Sequence, residues 1–467
     1  MTSWSNATND SPATMPASDW RDVQQWPEDI RAAFAALPEE GDWHVALSGG
    51  LDSVVLLHCI AALAGSLGLS VNAIHVNHGL QSEALDWESH CNALCHALGI
   101  CFTDHRVKLD PGMSDLEARA RHARYEVFEN ALGPGDTLFM AHHGDDQAET
   151  VLLRLLRGSG VRGLAGMPAT RDLGAGRLHR PLLALTRDRI ESVARDWGLS
   201  WCEDRSNQDT RFDRNYLRHV VMPVLRERWP GTASRFNRSA RHCREADGLL
   251  ETLARWDAET AEDAGGVSVE RLTALSASRR QQLMRHLMRC NGLYPPSEKR
   301  LGNGLEALIT ASPDGYPELR GEGYRIRRFQ DRLWVLPDLP AVDHDAVEPW
   351  CPGEPLQWWG TQLEARPESG GGIAPWLADD LVVTPRRGGE RIQAGSKQPQ
   401  RQLKKWLQEH AVPPWERWRL PLIWQGGRLV AVADYWILPE CRAGDADPGL
   451  RPVWHRPWWR LRTQLQS

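Results

Sequence analysis

A chain of 467 residues with 41% hydrophobic positions is too long for one hydrophobic core, and two to four domains are expected. A net charge of −6 excludes a protein that is basic over its whole surface, although a local basic patch is enough to hold a nucleic acid. No apolar run is long enough to span a bilayer, Met1 to Asp19 lacks the pattern of a signal segment, and the nine cysteines are scattered without a Cys-x-x-Cys pair, so a cytoplasmic protein with reduced thiols and no membrane contact is expected.

Residues 1–20, rich in Ser, Thr, Asn, Asp and Pro, read as a disordered tail. Residues 21–228 alternate strand and helix patterns. Strands are expected at 43–47, 71–76, 101–107, 137–141 and near 199–202, and helices from Ser53, at 86–98, at 114–128 and at 145–156. Such alternation predicts an α/β domain with a parallel sheet, whose ligands bind beyond the carboxyl ends of the strands. Cys91 and Cys95, four apart on a helix, read as two buried apolar thiols. The run Gly158-Ser159-Gly160-Val161-Arg162-Gly163 matches G-x-G-x-x-G in letters but follows a helix, so the dinucleotide reading loses its premise and a flexible loop is expected. Residues 229–340 form a mainly helical domain with short strands near 324–329 and 333–336. Residues 341–375 read as a linker, and 376–467 as a small α+β domain.

Five stretches carry candidate chemistry. Ser48-Gly49-Gly50-Leu51-Asp52-Ser53 lies between a strand and a helix, where two glycines let backbone N–H groups approach an anion such as a phosphate; no lysine precedes Lys108, so it is not a Walker loop. His75 and His78 lie at the end of the second strand, where the backbone can meet an adenine edge. Arg121 and Arg124, three apart on one helix, can both reach a phosphate. His143, Asp146 and Glu149 cluster where a strand enters a helix, and carboxylates facing a triphosphate imply Mg²⁺ between them, with Asp52 and Asp146 as ligands. The stretch Glu203-Asp204-Arg205-Ser206-Asn207, followed by Arg214, Asn215 and Arg218, suits a zwitterion or an RNA backbone.

The 48–53 loop resembles the signature of the PP-loop (N-type) ATP pyrophosphatases. With His75-Val76-Asn77-His78-Gly79, Ala120-Arg121, Arg124-Tyr125, His143, Asp146-Gln147, Glu149-Thr150, Arg180-Pro181-Leu182, Arg214-Asn215, Leu217-Arg218 and, further on, Arg401-Gln402-Leu403-Lys404-Lys405, the chain resembles one branch of these enzymes, the tRNA(Ile)-lysidine synthases, over roughly residues 25–460. Arg205 stands where that family often has an acid. The resemblance implies an adenine-nucleotide-hydrolase-like catalytic domain and two tRNA-binding domains. It also implies ATP, Mg²⁺, free L-lysine and an isoleucine tRNA with a CAU anticodon as the molecules handled, with no obligate protein partner. In this picture ATP adenylates the wobble cytidine at its carbon-2 oxygen, and the lysine ε-amine displaces AMP. Residues 48–53 hold the phosphates, Arg121 or Arg124 steadies the α-phosphate and His143 acts as base. The alternatives are a PP-loop tRNA thiolase, which needs reactive cysteines, and an ammonia-using synthetase, which needs a glutaminase segment.

Only five of the 55 Lys and Arg residues are lysines, and three of them, Lys397, Lys404 and Lys405, cluster. With Arg386, Arg387, Arg391, Arg401, Arg417 and Arg419 around them and Trp406, Trp415 and Trp418 interleaved, residues 386–419 are expected to grip tRNA, at the acceptor stem.

Overall fold

The computed structural model describes residues 19–38, 40–77, 84–107, 116–203, 209–263, 266–311, 317–393, 399–444 and 447–456. His78, Asp204 to Asn207, Lys397 and most of the expected disordered tail lie outside them. The chain divides into two compact units, one ending at Leu249 and one beginning at Leu250.

In the first unit, a short helix α1 (Glu28–Ala33) precedes β1 (Trp43–Ala46), α2 (Leu51–Leu67), β2 (Val71–Asn77), α3 (Ala84–Leu98), β3 (Cys101–Arg106), α4 (Leu116–Ala131), β4 (Thr137–Phe139) and α5 (Gly144–Leu156). There follow α6 (Val161–Leu164), β5 (Thr170–Leu173), β6 (Gly176–His179), α7 (Arg187–Asp196), α8 (Asp213–Tyr216) and α9 (Met222–Arg228), and α10 (Thr232–Ala261) begins in this unit and ends in the second. The strands form one sheet in the order β3-β2-β1-β4-β6-β5. Pairing is parallel throughout except for β5, which pairs antiparallel with β6. Sequence order reverses at β1, whose neighbours are β2 and β4. A crevice opens at that switch point beyond the strand ends, and the segments leaving β1 and β4 both face it.

The core explains why α2 is so apolar: Val54 to Ile60 are all buried, including His58, because this helix is enclosed by the sheet and by neighbouring helices. It stops at Gly68, which takes a left-handed φ of 71°.

Three expectations need correction. Residues 199–202 make no strand; the β5–β6 hairpin takes the sheet position beside β4, with Leu138 level with Leu178. That hairpin turns at Gly174, whose φ of 57° suits a residue without a Cβ, and its two four-residue arms are too short to show an alternating pattern. The 158–163 run is not all loop, because Gly160 starts the single turn of α6.

The third correction concerns 341–375, which is no linker. It contains strands Glu348–Pro349, Leu356–Trp358 and Thr361–Ser369, and Trp350, Trp358, Leu363 and Ile373 enter a core shared with Leu403, Trp406, Leu422 and Trp454. Its prolines, glycines and acids face outward or sit in turns, which disguises the inward apolar positions. The expected strands at 324–329 and 333–336 are present, as Tyr324–Phe329 and Arg332–Pro337, in an antiparallel sheet packed on helices Ala277–Cys290 and Glu298–Thr310. The C-terminal part is β-rich, with one five-stranded and one three-stranded sheet around the helix Leu403–Glu409.

Candidate active site

The loop leaving β1 is braced from inside. Ser53, 4% exposed, donates to the Gly50 carbonyl at 2.9 Å, and its Oγ accepts the Ser48 N–H at 3.3 Å. Gly49 takes φ 82°, and a Cβ there would lie 3.0 Å from Cys91 Sγ, so both the backbone and the space require glycine. The Gly49 carbonyl accepts the Cys202 N–H at 2.9 Å. No side chain caps α2 at Gly50, which leaves the first N–H groups of a 17-residue helix for an anion. Leu51 is buried and offers the site only its backbone, whereas Ser48 is exposed.

The segment leaving β4 carries the opposite charge. His143 is the N-cap of α5: its Nδ1 accepts the N–H of Asp145 at 3.2 Å and of Asp146 at 3.4 Å, while the His143 N–H donates to Asp146 Oδ2 at 3.1 Å. The proton therefore resides on Nε2, which faces Asp146 Oδ2 at 3.3 Å and Asp52 Oδ2 at 3.7 Å. With one nitrogen committed to the helix and the other lying beside both carboxylates, His143 stands between Asp52 and Asp146. No lone pair is left for the base role expected of it.

Asp146 and Glu149 are buried and held by α8 and the π-helical turn that follows it, Leu217–Val221. Asp146 Oδ1 accepts Arg214 Nη2 at 3.0 Å and Arg218 Nη2 at 2.8 Å. Glu149 accepts Arg218 Nε at 2.7 Å, Arg218 Nη2 at 2.8 Å and Arg214 Nε at 3.2 Å. Burial works against the charged form of Asp146, but His143 and Arg214 outweigh it and hold the carboxyl well below the usual range. Both its oxygens are filled, which does not suit the expected metal ligand. Asp52 differs: burial, reinforced by Asp146, pushes its carboxyl up although His143 opposes this, and its Oδ1 is buried with no hydrogen-bond partner among the described residues.

The other expected residues are dispersed. His75 is buried and donates its Nδ1–H to the Leu47 carbonyl at 2.8 Å, so it pins β2 to β1 and does not face the crevice. Arg121 lies on Tyr125, 4.9 Å from the ring centroid, and Arg124 lies on the same helix. Asn215 Nδ2 donates to the Asp209 carbonyl at 3.0 Å and steadies the turn before α8. In the second unit, Lys404 and Lys405 are exposed on the helix Leu403–Glu409, Arg401 pairs with Glu409 at 2.7 Å, Trp406 is core and Trp418 is 52% exposed.

Sequence reasoning missed Asp145, Arg187 and Arg226. Buried Asp145 accepts the Arg187 N–H at 2.8 Å and pairs with Arg226, tying α5 to the start of α7 and to α9. The signal was a second acid beside Asp146 in the first turn of a helix, with one acid already assigned.

Thiol chemistry is poorly supported near the loop. Burial pushes the Cys95 thiol up to about 12, and Cys91 and Cys202 also rise, so none is prepared as a nucleophile.

Residues 24–225 match the PP-loop domain family, residues 268–334 the TilS substrate binding domain and residues 381–454 the TilS substrate C-terminal domain. The chain is 42% identical to a tRNA(Ile)-lysidine synthase of Alkalilimnicola ehrlichii, with 91% of this chain and 96% of that protein covered. Identity is 39% to the enzyme of that name from Coxiella burnetii, over 88% and 92%, and 42% to that from Pseudomonas aeruginosa, over 91% and 96%.

Proposed function

The chain belongs to the tRNA(Ile)-lysidine synthase family, and on that premise we propose that it joins lysine to carbon 2 of the wobble cytidine of an isoleucine tRNA with a CAU anticodon, converting ATP to AMP and pyrophosphate. The observation that carries this reading is the pairing, at one switch point, of an uncapped helix N-terminus with a buried carboxylate–arginine cluster joined to it through His143. The first suits the phosphates of ATP, and the second suits an amino acid bearing both signs of charge.

In the first step the carbon-2 oxygen of cytidine attacks the α-phosphorus and pyrophosphate leaves. In the second, the ε-amine of lysine attacks carbon 2, AMP leaves and the amine loses a proton. Residues 48–53 hold the phosphates through the uncapped N–H groups at the start of α2, which the helix fixes before binding, so little reorganisation accompanies it. Arg214 and Arg218 hold Asp146 and Glu149 in one geometry, so that the cluster offers the lysine a rigid surface bearing both signs of charge.

Mg²⁺ fits Asp52, whose open oxygen is a hard ligand, and when bound it offsets charge on the departing pyrophosphate. Lys404, Lys405 and exposed Trp418 mark the C-terminal surface for the tRNA acceptor stem.

The test is ATP/pyrophosphate exchange measured with isoleucine tRNA transcript, with and without lysine. Exchange that requires the CAU transcript, followed by lysine incorporation, is the expected result. Exchange independent of RNA would overturn the reading.

A further inference from the structure

Beside the carboxylates, toward the β6–β5 edge of the sheet, positive charge collects with nothing opposite it. Tyr125 of α4 has the Arg121 guanidinium 4.9 Å and the Arg171 guanidinium 5.0 Å from its ring centroid, and Arg121 Nη2 donates to its hydroxyl at 3.3 Å. Arg180, 3% exposed, stands next to them; its Nη1 donates to the Pro168 carbonyl at 2.8 Å and its Nε to His142 Nδ1 at 3.3 Å. Among the described residues no carboxylate pairs with Arg121, Arg171 or Arg180.

His142 adds no charge of either sign, since burial above all lowers it to about 3 and it stays neutral. The strain of the arrangement is felt by its members. Burial lowers Arg180, Tyr125 opposes this, and Arg171 and Arg121 add to it; Tyr125 itself is drawn below its ordinary value despite burial, by Arg121 and Arg180. Three like charges gathered this closely, one of them buried, are costly unless an anion visits.

We propose that Arg121, Arg171 and Arg180 around Tyr125 form a seat for a phosphodiester of the RNA substrate, separate from the ATP phosphate seat at residues 48–53. Planar forks match phosphate oxygens in pairs. The ATP phosphates already have the N-terminus of α2 at the end of β1, whereas this cluster lies past β4, and exposed Arg171 stands on the edge hairpin where a large polyanion has access. The inference rests on the reading that tRNA is the substrate.

Arg171→Ala and Arg171→Lys test it in the full-length chain. Filter binding of the isoleucine transcript across a salt series is the first readout, and ATP affinity without RNA is the second. The alanine variant is expected to bind RNA roughly tenfold more weakly, with the salt slope reduced by about one, while ATP affinity stays within about twofold; lysine is expected to restore the slope but only part of the affinity. RNA binding and slope equal to wild type would overturn the seat, and so would a loss of ATP affinity as large as that of RNA. Failure of the wild-type protein to prefer the isoleucine transcript over an unrelated tRNA would instead overturn the reading beneath it.

Discussion

Replacing Asp52 by Asn separates the demands of chemistry from those of folding. Asp52 and Asp146 each face the same His143 nitrogen, at 3.7 and 3.3 Å, so their facing oxygens are at most 7.0 Å apart. Two charges at that distance repel by about 0.6 kcal/mol in water-like surroundings and by about 2.4 kcal/mol at an effective dielectric of about 20. Asn keeps an oxygen facing the His143 N–H but carries no charge. Asp52→Asn should therefore be as stable as wild type or up to about 2 kcal/mol more stable, while ATP/pyrophosphate exchange falls by about a hundredfold or more. The pH dependence has a definite sign. A carboxyl raised in the folded state keeps its full stability contribution below the unfolded pKa of about 4 and loses it as pH rises through the folded value, so the gain of the variant should appear above about pH 4 and vanish below it. Thermal midpoints from pH 3 to 8 alongside exchange assays measure both. A variant that loses activity and also more than about 1 kcal/mol of stability at pH 7 would refute the argument and make Asp52 a structural residue.

Asp146→Asn should leave the Mg²⁺ midpoint unchanged but raise KM for lysine, because it loosens Arg214 and Arg218; a rise in the Mg²⁺ requirement would return Asp146 to the metal. His143→Asn retains a cap oxygen and a donor, and is expected to keep more activity than His143→Ala, which should also lose about 1 kcal/mol of stability. If the asparagine variant lost the acidic limb of the pH–rate profile, His143 would be a base after all. Lys404→Ala combined with Lys405→Ala should weaken tRNA binding and lower its salt slope by about one to two; an unchanged slope would show that the C-terminal surface does not contact phosphates.

How far the sequence discloses this molecule depends on whether a feature is local. The β1 strand, the glycine turn and α2 are adjacent in the chain, and the expected strand at 43–47 and helix from Ser53 are found as Trp43–Ala46 and a helix that begins two residues earlier, at Leu51. The meeting of Asp146 and Glu149 with Arg214 and Arg218 joins positions 65 to 72 residues apart. Both halves were noticed as polar clusters, but the clamp they form required the fold. His143 shows the limit most clearly. Its residue type and place before a helix fit a base, yet the role turns on which nitrogen holds the proton, and that is set by two backbone N–H groups whose direction only the helix start defines. Linker composition misled at 341–375 because strands with one buried face need few apolar residues, and Trp358 and Leu363 supply them.

The bond from the Cys202 N–H to the Gly49 carbonyl governs how the nucleotide seat behaves before any nucleotide arrives. In a planar trans peptide the carbonyl and the following N–H point in opposite directions, so anchoring the Gly49 oxygen also fixes the heading of the Gly50 N–H. A glycine pair would otherwise be the easiest place in the chain for a peptide plane to invert, and an inverted plane would present an oxygen to the incoming polyphosphate. The anchor comes from a residue some 150 positions downstream, just before the stretch that leads to Arg214 and Arg218. A displacement of residue 202 would therefore be felt directly at the Gly49–Gly50 peptide, along a path that passes through neither His143 nor the carboxylates.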